Sequence, residues 1–294
     1  MVTIRAYSGR PGSDWSEAGN WGASGLPLTG DTVVIPNPAT SNANLVDNPA
    51  LAAIVLGPNF GGSVINGAVA INASWVTFNI DDQSTSSTPS TINAAVAITG
   101  TTLYIRSQNA AHTLSTSGVM SGGFSVRVFG PSSVASSGGS NNTYTGSTTV
   151  VSSGTLLLSG AGIQLVPGNL NVGDGTATAN SARVKLTSVF SELIKDTAMV
   201  SVASDGQFDM GGLSETIAQL SGTGSATMPG GGLLTVDGDD GSFAFGGVIS
   251  GAGNVIKVGT GAMTYTAANA YTGGSGNDIT LTVAAGRQTA PTAC

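Results

Sequence analysis

The chain has 294 residues, enough for one large domain or two ordinary ones and for a sizeable buried core. Only 9% of residues are charged and the net charge is −7 with nine Lys and Arg in all, which excludes the clustered basic surface that nucleic acid or an anionic membrane face requires. No run of about 18 apolar residues is present, so no membrane-inserted helix is expected, and the single cysteine, Cys294, excludes an intrachain disulfide scaffold.

Glycine supplies 44 residues, about twice its usual share of roughly 7%, and Ser, Thr, Ala, Val, Leu and Asn dominate the rest. Gly, Ser and Asn make turns, whereas Val and Thr suit a pleated surface. The composition therefore predicts an all-β fold of many short strands.

The first stretch, "MVTIRAYSGRPGSDW", lacks the apolar segment of a secretory signal, so the expectation is either no export by that route or a leader already removed. Next, "DWSEAGNWGASGLPLTGDTVVIP" places Trp15 and Trp21 in a turn-rich segment before a predicted strand at Thr32–Ile35. An open end of stacked strands exposes apolar interior and unpaired backbone, so these aromatics are read as a plug rather than as a ligand platform.

Two later blocks repeat. "GVMSGGFSVRVFG" (Gly118–Gly130) leads to "NTYTG", and "GVISGAGNVIKVG" (Gly247–Gly259) leads to "NAYTG". The first elements lie 129 residues apart (Gly118, Gly247) and the last 127 (Asn142, Asn269), which reads as one structural unit used twice. Each block is taken to hold a strand with a basic residue pointing outward, Arg127 and Lys257. Tyr144 and Tyr271 are expected to pack under a turn, with the following Thr opening the next strand. Gly146 and Gly273 are expected in a backbone conformation that side chains disfavour.

Between the blocks, strands are predicted at Thr148–Val151 and Thr155–Ser159, and within Leu170–Gly175, Ala198–Gly212 and Gly232–Gly247. Turn signals recur every 8 to 12 residues, and the long-range repetition favours a solenoid of roughly a dozen coils of ~20–25 residues. "TSVFSELIKDT" (Thr187–Thr197) is the one segment read as a helical turn. The organisation expected is a cap over 1–36, a β-helix over 37–283 and a tail over 284–294.

"NTYTGSTTVVSSGTLLLSG", "DGQFDMGGLSETIAQLSGTG" and "GGVISGAGNVIKVGTGAMTYTAANAYTGG" resemble the autotransporter-associated β-strand repeat of bacterial surface passengers, over roughly 89–274. "GNW" followed by "GDTVVI" is similar to the opening of such proteins. The resemblance implies a right-handed parallel β-helix and a scaffold motif without catalytic residues. The signal and membrane barrel that normally flank such passengers are not in this sequence, as expected either of a segment of a longer protein or of a complete short one.

Candidate chemistry is sparse. His112, in "NAAHTLSTSG", is the only histidine and is read as a surface residue rather than part of a nucleophile site. Carboxylates that could serve polysaccharide cleavage are Asp81 with Asp82, Asp205 with Asp209, and Asp237, Asp239 and Asp240; each group is read first as turn chemistry. "GGSGNDITL" approximates a calcium-binding nonapeptide, with Asp278 as its ligand, but it occurs once and Thr280 stands where a large apolar residue belongs.

These readings lead to an expectation of no enzyme, no catalytic residue and no cofactor. The function expected is a structural protein of an extracellular assembly: a phage capsid decoration or cement protein, or a fibre, at the virion surface. The alternatives are a passenger segment of a bacterial surface adhesin and a polysaccharide-processing β-helix. Partners expected are proteins of a larger assembly and further copies of the chain, a trimer being one form, with glycan contact as an additional option.

Overall fold

The structure, a computed structural model, describes residues 3–8, 13–35, 40–42, 50–57, 64–67, 71–73, 77–131, 133–161, 163–237, 242–272 and 282–283. Two compact units divide the chain, Met1–Gly146 and Ser147–Cys294.

In the first unit, strands Ile4–Ala6, Thr32–Ile35, Ala53–Leu56, Thr77–Asp82, Thr102–Ser107 and Ser125–Phe129 pair in that order, all parallel, as a broad sheet. Ser13–Asp14, Thr40–Asn42, Val64–Asn66, Ser90–Ile92, Thr113–Thr116 and Ser133–Ser136 form a second parallel sheet in the same way. Ile71–Ala73, Val96–Ile98, Met120–Gly122 and Thr143–Tyr144 make a third. Partners on the broad sheet lie 21 to 28 residues apart, so each pairing closes one coil. Parallel neighbours need such a long return, and repeating it gives a β-solenoid.

The second unit is built alike. Its broad sheet runs Thr148–Val150, Leu170–Val172, Met199–Val202, Gln219–Gly222, Phe243–Phe245, Met263–Tyr265, Thr282–Val283. Its second sheet runs Thr155–Leu158, Ala182–Leu186, Gly206–Asp209, Ser225–Met228, Val248–Gly251, Ala270–Tyr271. Glu215–Ile217, Leu233–Asp237 and Asn254–Val258 form a third. The all-β parallel β-helix expected from the sequence is thus the fold. Among the described residues the only helix is a 3-10 segment at Ala18–Ser24.

Alternation along each strand sends every second side chain inward, and parallel register stacks these into columns. Val33, Ile54, Ile80, Ile105 and Val128 form one such column in the first unit, all sealed from solvent. Val150, Val172 and Val202 form another in the second unit. Each buried Val or Ile contributes about 1.5–3 kcal/mol, and β-branched side chains suit the stack because few rotamers are lost on burial.

The repeated Asn-x-Tyr-Thr-Gly is a corner. Tyr144 pairs with Gly122, and Tyr271 with Gly251, one coil earlier in each case. Thr145 and Thr272 extend that pairing by donating N–H to the same glycines' carbonyls, at 3.0 and 2.8 Å, instead of opening a new strand. The Asn side chain supplies the rest: Asn142 Oδ1 accepts from Met120 N at 2.9 Å, and Asn269 Oδ1 from Ile249 N at 2.8 Å. Gly122 and Gly251 hold φ of 132° and 113°, where a Cβ would strike the carbonyl of Ile98 or Met228. Gly146 is required for a different reason than conformation, because its Cβ would sit 2.3 Å from the Phe124 oxygen. Tyr144 is buried against Phe124, ring centroids 5.2 Å apart, whereas Tyr271 is only half-buried. Gly273 and the tail 284–294 lie outside the described residues.

Two local expectations fail. Thr187–Thr197 is not helical: Ser188 Oγ accepts from Phe190 N, Glu192 takes φ of 62°, and Ile194 bridges Val166. Its apolar residues divide instead, with Val189 and Phe190 exposed and Leu193 and Ile194 buried. Lys257 points inward and is 1% exposed, unlike half-exposed Arg127. The 129-residue offset that superposes Gly118 on Gly247 aligns Arg127 with Ile256 and Lys257 with buried Val128. A slip of one residue exchanges the faces of a strand.

At the start of the first unit, Trp15, Trp21 and Tyr7 are buried together. Trp21 meets Trp15 at 5.7 Å and Tyr7 at 5.2 Å, both edge to face, and its Nε1–H donates to the Trp15 carbonyl at 2.7 Å. Arg5 Nε donates to Asp31 Oδ2 at 2.6 Å beside this cluster. The aromatics fill the end of the stack, as a cap must. Trp15→Ala is expected to cost about 3–5 kcal/mol in urea unfolding, whereas Trp21→Phe, which keeps most of the volume but loses the hydrogen bond to the Trp15 carbonyl, should cost about 1–3 kcal/mol. Equal, negligible losses for both would mean that the cap carries no stability.

Candidate functional site

Asp81 and Asp82 are neighbours on the strand Thr77–Asp82, so the pleat sends them to opposite faces. Asp81 faces outward and receives Arg106 in a two-pronged pair, Nε to Oδ1 and Nη2 to Oδ2, both 2.8 Å. Gln83 and Gln108 also donate to it, at 3.1 and 3.2 Å. Burial pushes the Asp81 carboxyl up, but the hydrogen bonds from Arg106, Gln83 and Gln108 outweigh it and hold the group below its ordinary range.

Asp82 faces inward, in the column that begins with Ile35 and Leu56. It is sealed from solvent, as is His112, whose Nε2 lies 2.8 Å from Asp82 Oδ2. The surface position expected for His112 is therefore wrong: the ring sits in phase with Leu114 and Thr116 of the next strand, all three buried. Ser84 N and Ser107 Oγ donate to Asp82 at 2.9 and 3.2 Å. His112 Nδ1 is 2.9 Å from the Ser86 carbonyl, which can only accept, so Nδ1 carries a proton. His112 Nε2 lies close to Asp82 Oδ2 but makes no hydrogen bond to it. Burial pushes the Asp82 carboxyl up, opposed by Ser84 N–H and His112.

This cluster resembles a nucleophile site only in composition. Ser107 donates to the acid and not to the imidazole, and neither His112 nor Asp82 has any exposed side-chain surface. Its effect is to tie three successive pieces of chain, 82–86, 107 and 112, into one buried knot.

The second predicted acidic pair is separated too. Asp205 and Asp209 bracket the strand Gly206–Asp209, about 13 Å apart along an extended chain. Asp205 is buried and accepts from Gly175 N at 2.7 Å and Ala177 N at 3.4 Å, pinning the Gly-Asp-Gly loop of the previous coil. Asp209 accepts from Gly211 N at 2.9 Å and faces Lys185 at 3.7 Å. The side chain of Asp237, and Asp239, Asp240, Asp278 and Cys294 altogether, lie outside the described residues. Among the described residues, no three His, Cys, Asp or Glu side chains gather as a metal-holding group, and no helix is long and apolar enough to cross a membrane.

Two buried ionisable side chains escaped the sequence reading. Glu215 is 1% exposed, in phase with Ile217, and accepts from Leu193 N at 3.1 Å and Ile194 N at 2.7 Å on the preceding coil. Glu192 answers by accepting from Thr216 N and Oγ1 at 3.1 and 3.2 Å. Burial, with Glu192 and Asp196 nearby, pushes the Glu215 carboxyl up to about 8, against the pull of its two backbone donors. Lys257 is in phase with Val255 at the opposite edge of the same small sheet, and its Nζ reaches the Val258 carbonyl. The signal was available: each is a charged residue on the apolar beat of a two-residue alternation.

No protein-family model, curated protein or solved structure matches the chain.

The buried pair gives one expected outcome. Asp82→Ala or His112→Ala alone strands a polar partner in the core and should cost about 3–5 kcal/mol, while Asp82→Leu with His112→Phe should cost less than either. Additive losses in a urea double-mutant cycle would show that the two groups do not act together. Glu215 gives another. Between pH 4.5 and about 8 the folded chain keeps a proton that the unfolded chain has released. Stability should therefore fall as pH rises through that window, by up to about 1.4 kcal/mol per unit, and Glu215→Gln should flatten the slope. An unchanged slope in the variant would place the pH dependence elsewhere.

Proposed function

We propose that the chain is a non-enzymatic structural protein of an extracellular assembly, a decoration or cement protein or a fibre at a virion surface. One observation carries the reading. Asp81, Asp82, His112, Asp205, Asp209 and Glu215, the described side chains best suited to chemistry, are each engaged in lashing one stretch of backbone or coil to another. A protein that commits its ionisable groups to rigidity is suited to bearing load and presenting a surface.

The outward side chains fit that role. On the broad sheet of the second unit, Thr149, Asn171, Ser201 and Ser221 occupy one register column, with Thr264 further along the same face. Short side chains at about 4.8 Å intervals make a flat face that a partner protein can approach closely. Such a face also suits association with further copies of the chain.

A second reading, a passenger segment of a bacterial surface adhesin, is favoured by the corner recurring at Tyr144 and Tyr271 with the same Asn and Gly contacts. Fractionation of the native source separates the two. Peptides of this chain should be found at fixed stoichiometry in density-purified particles. Peptides confined to the cell-surface fraction, in a longer polypeptide, would overturn the virion assignment in favour of the adhesin.

A further inference from the structure

Among the described side chains, the outward face of the first unit's broad sheet carries a cluster of large planar groups on two neighbouring strands. Tyr104 and Arg106 stand outward on the strand Thr102–Ser107, and Arg127 and Phe129 on the neighbouring strand Ser125–Phe129. Register sets Tyr104 beside Arg127 and Arg106 beside Phe129, a two-by-two patch of alternating aromatic and guanidinium groups. The Tyr104 and Phe129 rings meet edge to face at 6.2 Å, and the Arg106 guanidinium lies 6.0 Å from the Phe129 centroid. All four are partly exposed.

Charge is distributed unevenly within the patch. Arg106 is neutralised by its two-pronged pair with Asp81. The Arg127 guanidinium has no hydrogen-bond or ion-pair partner among the described residues. The patch thus holds one unmatched guanidinium on a chain whose net charge is −7. Gln83 and Gln108 each give one amide hydrogen to Asp81, and an amide has a second N–H and a carbonyl oxygen to offer at the rim.

We propose that this patch is a binding site for an acidic carbohydrate, a uronic-acid-containing glycan. A pyranose ring lies its C–H face on an aromatic side chain, and Tyr104 with Phe129 offers that surface. Arg127 receives the sugar carboxylate as a planar two-pronged donor. Gln83 and Gln108 read the hydroxyls. A nucleic-acid strand fits less well, since its phosphates call for a track of several free cations and the patch has one. This site does not depend on whether the chain belongs to a virion or to a cell surface, and its test leaves the assignment above untouched.

The test is isothermal titration of the intact protein with a short oligogalacturonide, and with a neutral oligodextran of equal length. Binding to the oligogalacturonide is expected to be at least tenfold tighter, and to weaken as salt rises. Arg127→Ala should lose about tenfold or more, Arg127→Lys should fall between, and Tyr104→Ala should weaken both sugars alike. The unfolding midpoint of each variant checks that the fold is intact. Equal affinity for the two sugars, an Arg127→Ala variant that binds as well as the parent, or tighter binding of a single-stranded oligonucleotide would each overturn the proposal.

Discussion

In-register parallel stacking is the constraint on which everything else here depends. A coil of a solenoid has no core of its own; its apolar beat is buried only by the coils on either side. The inward columns, such as Val33–Ile54–Ile80–Ile105–Val128, are the consequence. So are the corner glycines: Gly122 and Gly251 approach the preceding coil so closely that any Cβ would collide with its carbonyl. Register and close approach cannot be satisfied separately, because a coil that backs away to admit a side chain also breaks its backbone ladder.

The same constraint explains why polar groups occur inside. Wherever a coil lacks a strand to continue a sheet, backbone N–H groups are left unmatched, and a buried donor without a partner costs more than a hydrogen bond yields. Glu215 serves this purpose, taking the amides of Leu193 and Ile194 where the earlier coil runs irregularly. Asp205 does the same for Gly175 and Ala177, and Asn142 for Met120.

How much of this was legible in the sequence follows from what kind of rule each feature obeys. Strands and turns were readable because they answer to a two-residue beat and to glycine; Thr32–Ile35 came out as observed, and Thr155–Ser159 ended one residue early. The corner was readable as a repeat, but its mechanism was not, since the Asn142 and Asn269 contacts lie one coil away. Lys257 was misplaced by treating two basic residues as equivalent when their blocks differ by one position. His112 and the loop at Thr187–Thr197 failed for a related reason. Helical spacing and a lone histidine are local signals, and here longitudinal partners, Asp82 for the one and Val166 with Glu215 for the other, override them.

Outward positions obey no such rule, and that makes them informative. Inside, a bulky or charged residue must answer to the stack, so its identity reports on folding. Outside, the stack asks only for β-compatible side chains, and the second unit meets that demand with Thr149, Asn171, Ser201 and Ser221. Tyr104, Arg127 and Phe129 exceed it. Large planar groups on a solvated strand face bury less apolar surface than the same groups would inside, and the stack does not require them there. Arg106 is accounted for by Asp81, but Arg127 meets no acid among the described residues. In a solenoid, the residues that folding does not need are the ones through which a function is to be sought, and in the first unit Tyr104, Arg127 and Phe129 are three such residues that stand together.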